Sequence, residues 1–224
     1  MRSPKRRAPA ALVVWLALGV HALGVGAPVR ARADDTHAPD GARVARVLAR
    51  AREEVTRGVV YDGRYRTLTY RDGVDAGRFV YPGGDLEPGR GVCTDVVVRA
   101  LRAAGIDLQS AVHADIMAHP EPYARFVTHA DANIDHRRVG PLMTYLERHA
   151  TRLSLASEAS FAAGDIVVWT FASTAAGAPA HVGIVGDRPG PRGLPLVIHN
   201  LGPHPTEDDA LDAWVRVGHY RLAP

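Results

Sequence analysis

One cysteine, Cys93, stands among 224 residues, and the residues around it suit thiol chemistry. The stretch Gly91-Val92-Cys93-Thr94-Asp95 leads into Val97, Ala100, Leu101 and Ala104, an apolar repeat of helical spacing. Cys93 therefore opens a helix running from Thr94 to Ala104, with Gly105 as its stop. At a helix start, unpaired N–H groups and the dipole favour a thiolate and can hold an oxyanion. A thiol nucleophile also needs a base that is itself held by a third polar group. His181-Val182-Gly183-Ile184-Val185 and Leu196-Val197-Ile198-His199-Asn200 are short apolar runs that carry such groups. Strand alternation puts His181, Gly183 and Val185 on one side. A hairpin brings His199 or Asn200 beside His181, and a period of two lets one of them face it. The chemistry this predicts is acyl transfer to water: Cys93 attacks an amide carbonyl, His181 acts as base and then acid, and His199 orients His181. The competing reading makes Cys93 an inert core residue, as free cysteines often are.

A second polar cluster lies between these parts: His113-Ala114-Asp115, His129-Ala130-Asp131 and Asp135-His136-Arg137-Arg138. Imidazole and carboxylate suit a divalent metal such as zinc, but no His-Glu-x-x-His spacing is present, and neither metal nor cofactor is expected. In a structural role, Asp135 caps the helix that follows and the arginines pair with carboxylates. In a binding role, Arg137 or Arg138 clamps a substrate carboxylate through its planar fork. Asp95, in the first turn after Cys93, complements the helix dipole. Asp95, Asp135, His136, Arg137, Arg138 and Asn200 are accordingly the candidate substrate-binding residues.

The elements that must position these groups are legible in outline. Val44, Val47, Leu48, Ala51 and Val55 predict a helix over 42–55, and Leu142, Tyr145 and Leu146 another over 139–149. Residues 59–92 read as short strands or loops, with a turn at Tyr81-Pro82-Gly83-Gly84. Strands are predicted over 165–169, 181–185, 196–200 and 215–222, with a Gly/Pro-rich turn at 186–193 and a short helix around 208–214. Helices first and strands later indicate an α+β domain with an antiparallel sheet.

The N-terminus reads as a secretory signal. Arg2, Lys5, Arg6 and Arg7 precede an apolar run over 8–20, and Ala31-Arg32-Ala33 forms a small-x-small exit. Cleavage is expected after Ala33, followed by a loose leader over 34–40 and one domain over 41–224. Such a protein is periplasmic or secreted, without stable membrane insertion once cleaved. Six of the 27 Lys and Arg lie in residues 1–33, with no acidic residue among them, so the remainder carries 21 basic against 24 acidic residues. That balance leaves no electrostatic footprint for nucleic acid.

Two resemblances follow from these motifs. Tyr81-Pro82-Gly83-Gly84, Gly91-Val92-Cys93-Thr94-Asp95, His181-Val182-Gly183-Ile184-Val185 and Ile198-His199 together resemble the signature of the NlpC-type cell-wall cysteine peptidases. The resemblance implies a papain-like fold, with Cys93 as nucleophile, His181 as base, His199 as orienting residue and Tyr81 near the site. Peptidoglycan stem peptides would be the substrate. Cys93 and His181 stand 88 residues apart, which fits an insertion at about 105–160. The chain is also similar to an exported bacterial family known mainly as a domain of unknown function. That likeness runs through Gly91-Val92-Cys93-Thr94-Asp95-Val96-Val97, Asn133-Ile134-Asp135-His136-Arg137-Arg138 and Gly218-His219-Tyr220-Arg221, and covers nearly all of the chain after the leader. The alternatives from other classes are a non-catalytic envelope module that binds cell-wall peptide or a protein, and a metal-dependent hydrolase built on residues 113–136.

Overall fold

Apolar runs rich in Val and Ile bury best when paired, and those of the last third of the chain form one sheet. The computed structural model describes residues 40–69, 84–156, 161–174 and 177–222. The proposed signal, residues 34–39 of the leader and Tyr81 lie outside them, and Asp40, taken as the end of the leader, already belongs to a helix. In chain order the elements are α1 (Asp40–Thr56), β1 (Val60–Tyr61), β2 (Arg90–Gly91), α2 (Cys93–Arg102), α3 (Leu108–Ala118), two 3-10 turns (Glu121–Tyr123 and Asp135–Arg137), α4 (Val139–His149), β3 (Thr151–Arg152), β4 (Ile166–Thr170), β5 (His181–Pro189), β6 (Pro195–His199), β7 (Thr206–Asp208) and β8 (Val215–Arg221). The six strands β3 to β8 lie in the order β3-β8-β4-β5-β6-β7, and every neighbouring pair is antiparallel. The fold is α+β with an antiparallel sheet, as the sequence predicts. The described residues all fall in one compact unit.

Alternation along the strands divides the sheet into two apolar faces. Val168, Val182, Ile184, Ile198 and Tyr220 face the helices and pack with Val96, Val97, Ala100 and Leu101 of α2 and with Val47, Leu48 and Ala51 of α1. Val167, Trp169, Val185 and Val197 face the other way, onto Ala210, Leu211 and Trp214. No helix among the described residues is long and apolar enough to cross a membrane.

The helix layer also buries charge. Arg99, in α2, donates to Asp85 (Nε to Oδ2 3.0 Å, Nη2 to Oδ1 3.0 Å) and to Glu54 in α1 (2.8 Å), and all three side chains are buried. A buried ion pair adds little net stability, yet removing one partner strands the other charge. This cluster fixes α2 against α1.

Three local readings need correction. The region 105–160 holds α3, which the periodicity did not show, because its buried side includes His113 and Asp115. Those groups are satisfied by Asp135 and by Tyr123 and Arg148, so the inner face is not apolar. No helix forms over 208–214: β7 ends at Asp208 and a turn follows. There the carbonyl of Leu211 accepts from Trp169 Nε1 (3.1 Å), and Asp208 and Asp209 are drawn to His199 and Arg192. The turn after β5 is also shorter than the Gly/Pro content suggests, since β5 continues to Pro189 and pairs there with Pro195.

Gly183 sits opposite His199 in the β5–β6 ladder. A Cβ at Gly183 would lie 2.7 Å from Val197 Cγ1 and 3.1 Å from His199 Cβ. Gly183→Ala is therefore expected to destabilise the protein by about 1–3 kcal/mol through overpacking, measured by urea unfolding, and to displace His199.

Candidate active site

Cys93 begins α2 and is buried, at 6% exposure. The helix start is organised by Asp95, whose Oδ2 accepts from the Val92 amide at 2.7 Å. This is one half of a capping box, since Val92 offers no side-chain acceptor in return. Arg137 donates through Nε to both oxygens of Asp95 (3.1 and 3.2 Å). Thr94 Oγ1 donates to the Arg137 carbonyl at 3.1 Å.

On the sheet, β6 ends at His199 and the next residue leaves the ladder. Asn200 Nδ2 donates to the Gly91 carbonyl (3.3 Å), and its Oδ1 accepts from the Gly202 amide (3.0 Å). The Val182 amide, one residue outside the last Gly183–His199 pair, interacts instead with the Cys93 sulfur, as do the amides of Thr94 and Cys93 itself. The thiol thus meets β5 at the residue next to His181.

His181, Gly183, Val185, Val197 and His199 share the sheet face opposite α2, together with Trp169. His181 Nε2 and His199 Nδ1 are 2.9 Å apart, and His199 Nε2 lies 3.0 Å from Asp208 Oδ1. The register brings Asp208 there, because it pairs with Val197 on the same face. Asp208 is a site residue that sequence reasoning missed; it fell in a stretch read as helix. Trp169, Phe171 and Trp214 surround the His181 ring with centroid separations of 5.6, 5.9 and 5.4 Å.

Burial governs the protonation of both reactive groups. It pushes the Cys93 thiol up to about 11; the amides of Val182, Thr94 and Cys93 oppose this, and the Asp95 charge adds to it. Burial, followed by the neighbouring His199, pushes His181 down to about 3. The resting pair is neutral thiol and neutral imidazole. At the ligand-free helix start, withdrawal of the sulfur from water outweighs the amides. The described hydrogen bonds include the His181–His199 contact but none between Cys93 and His181. Such contacts in ligand-free enzymes are often loose and tighten when substrate binds.

The candidate binding residues divide sharply. Asp95, Asp135, His136, Arg137 and Asn200 are all buried, so, unlike the expectation, the ligand-free structure presents none of them at its surface to a substrate. Asp135 accepts from the Asp131 amide and contacts His113, with burial raising its carboxyl. His136 is sealed in, and burial pushes it down to about 3. Arg138 alone is exposed. It lines an open groove of about 620 Å³ with His113, Met117, Phe126, His129 and Asp131. Among the described residues no group of three His, Cys, Asp or Glu is arranged to hold a metal ion.

A residue that the sequence reading did not single out is Tyr61, whose strand pairs it with Gly91, two residues before Cys93. It is 44% exposed. Burial of part of its ring raises the phenol, and a charge on Cys93 raises it further. Its amide donates to the Pro203 carbonyl at 3.0 Å. Gly202 takes a positive φ of 87°, and a Cβ there would meet the Tyr61 ring at 3.4 Å. Leu201, the residue before Gly202, is exposed as well. Only the pairing of β1 with β2, two residues before Cys93, reveals Tyr61, and a two-residue strand leaves no periodic signal.

Residues 48–222 match the family described as "Domain of unknown function (DUF1287)". The chain belongs to the DUF1287 family. "Uncharacterized protein YijF" of Escherichia coli (strain K12) is 41% identical over 174 residues, spanning 76% of this chain and 78% of that protein. The DUF1287 match begins inside α1 and ends just past β8, so it includes Cys93, His181, His199, Asp208, Tyr61 and Arg137.

Two measurements follow. Iodoacetamide labelling of Cys93 in the folded protein is expected to rise roughly tenfold per pH unit from pH 6 to 9, as for a thiol titrating above that range. A plateau already reached near pH 6 would instead show a resting thiolate. Stability should also depend on pH through His181 and His136. Their folded values lie below the unfolded value of about 6.5, so between about pH 3 and 6.5 the unfolded chain binds more protons. Stability is therefore full above about pH 6.5 and lost as pH falls, with each group adding up to about 1.4 kcal/mol per pH unit. Urea unfolding at pH 7 and pH 5 measures the loss, and His136→Leu should make it shallower.

Proposed function

We propose that this protein is a cell-envelope thiol hydrolase that cleaves an amide bond, with peptidoglycan stem peptides as its substrate and a papain-like core of NlpC type. The observation that carries this reading is the run His181–His199–Asp208, which starts at the neighbour in sequence of Val182, whose amide interacts with the Cys93 sulfur. A histidine engaged through Nε2 by a second histidine, itself held by a carboxylate, has a fixed ring orientation, and Nδ1 is the nitrogen left to act as base.

In this mechanism Cys93 Sγ bonds to the carbonyl carbon as its proton passes to His181. The Cys93 and Thr94 amides face the developing oxyanion. His181 then returns the proton to the leaving amine, and water, activated by the same imidazole, releases the acyl group. A neutral resting pair suits this route: the proton moves during attack, and the developing imidazolium is stabilised through His199 by Asp208. The export signal read in the sequence makes the envelope the place of action.

A second reading is favoured by the raised thiol and by the absence of a described Cys93–His181 bond. In it, the same fold binds cell-wall peptide without cleaving it. Digestion of purified peptidoglycan fragments, followed by mass spectrometry, separates the two. The hydrolase reading expects cleavage that is abolished in Cys93→Ala, reduced about 10²–10⁴-fold in His181→Ala, and reduced less in Asp208→Asn. Binding of intact fragments with no cleavage, unchanged by Cys93→Ala, would establish the binding module.

A further inference from the structure

Asp62 is a buried carboxylate that three arginines serve at once. Arg64 donates through Nε to Oδ1 and through Nη2 to Oδ2, both at 3.0 Å. Arg66 donates to Oδ2 through Nε (3.2 Å) and Nη2 (3.0 Å), and Arg90 donates to the same oxygen through Nη1 (3.2 Å). Among the described residues, Glu87 pairs with Arg66 alone, at 4.0 Å. Arg64 and Arg90 have Asp62 as their one carboxylate partner there. Three cations thus face two carboxylates.

A structural role for Asp62 needs one of these arginines, since a single fork already satisfies a carboxylate. Bringing two more guanidinium groups to one oxygen sets like charges against each other. The arginines do not bury themselves in return: the side chains of Arg64 and Arg90 are 70% and 43% exposed. Arg64 Nη1 and Arg90 Nε and Nη2 make no hydrogen bond among the described residues, so donors remain to be used. The cluster also lies against the start of the nucleophile helix. Arg90 stands three residues before Cys93, and the Asp62 amide donates to the Gly91 carbonyl at 3.0 Å. A Cβ at Gly63 would lie 3.8 Å from Val92 Cγ1, in the residue next to Cys93. Arg137 completes the link, with Nη1 on the Arg64 carbonyl (3.0 Å) and Nε on Asp95 in the first turn of α2.

We propose that Arg64, Arg66 and Arg90, gathered by Asp62, form an anion subsite beside Cys93 that takes a carboxylate of the peptide ligand. The inference rests on the reading of Cys93 as the centre of a peptide-cleaving site, and it names what the substrate carries: an ionised carboxylate close to the bond that is attacked. Guanidinium forks bind such a group through paired hydrogen bonds. Asp62 is the organiser. It holds three long side chains in one place before the ligand arrives, so less of their freedom is lost on binding.

Two reagents of nearly equal size test this, because iodoacetate carries a carboxylate and iodoacetamide does not. With either, Cys93 Sγ bonds to the methylene carbon, iodide leaves with its electron pair, and the thiol proton goes to buffer. The ratio of the two alkylation rates cancels the intrinsic reactivity and access of the sulfur. It is measured for the folded wild type, the urea-unfolded chain, Arg64→Gln, Arg90→Gln and, as a control, Arg192→Gln in the turn between β5 and β6. At about 20 mM salt the folded wild type should favour iodoacetate about three- to tenfold over the unfolded chain, and about 0.5 M salt should screen most of that away. Arg64→Gln and Arg90→Gln should each remove about half of the preference or more, and Arg192→Gln none of it. A ratio equal to that of the unfolded chain, or one that neither variant lowers, overturns the proposal. Where the buried sulfur reacts with neither reagent, calorimetry on Cys93→Ala decides. N-acetyl-trialanine should bind at least about fivefold tighter than its carboxamide, with the difference lost on adding Arg64→Gln; equal binding, or none, overturns the proposal. Neither readout needs cleavage. A carboxylate preference in a protein that cleaves no peptidoglycan fragment leaves the subsite standing and removes the hydrolase reading, which is a different failure.

Discussion

A carboxylate stands buried one turn into the helix that begins at Cys93, and the arrangement of the site follows from how it is accommodated. Burial raises the Asp95 carboxyl, with Arg137 and then Arg99 pulling it back. An unpaired charge at that depth would cost several kcal/mol, so the helix start needs a cation of fixed geometry. Arg137 supplies it from a 3-10 turn that follows α3. In doing so it draws the 62–64 segment, the Thr94 hydroxyl and the Val92 N-cap into one hydrogen-bonded unit. The stretch that reads as an insertion between nucleophile and base is therefore the support on which the nucleophile helix rests.

The other half of the site follows a different logic. His181 sits on a strand face lined with Trp and Val, where desolvation favours its uncharged ring. A chain of two imidazoles ending at Asp208 gives that ring a direction without giving it a standing charge, and Asp208 keeps partial contact with water, with its side chain 51% exposed. The thiol is withdrawn from water in the same way. Both groups are thus held quiet at rest, and a bound substrate has to supply the closeness that engages them.

Much of this was readable from the residues alone. The apolar periods of α1, α2, α4 and of β4, β5, β6 and β8 were strong because those elements bury continuous faces, and Cys93, His181 and His199 stood at positions with few other uses. The choice of His199 over Asn200 needed the structure, since the answer depends on where β6 stops and Asn200 turns toward Gly91. Asp208 was hidden because an acidic stretch with helical spacing is held as strand and turn by contacts to His199 and Trp169. The inward roles of Asp135, His136 and Arg137 were hidden for a related reason: polar residues look solvent-bound in a sequence unless their buried partners, here more than 20 residues away, are known. Tyr61 left no trace because two residues of strand carry no pattern.

The division of the sheet into two faces has a consequence for how this chain can change. Between His181 and Val185, successive residues serve two separate cores, and the imidazole shares its side with one while the thiol packs with the other. Many single replacements there are absorbed at the cost of some packing. Loss or gain of one residue is not, because every side chain beyond the change would exchange cores at once and the ring would turn away from His199. Across descendants of this chain, the length of that strand should be far less free to vary than its composition.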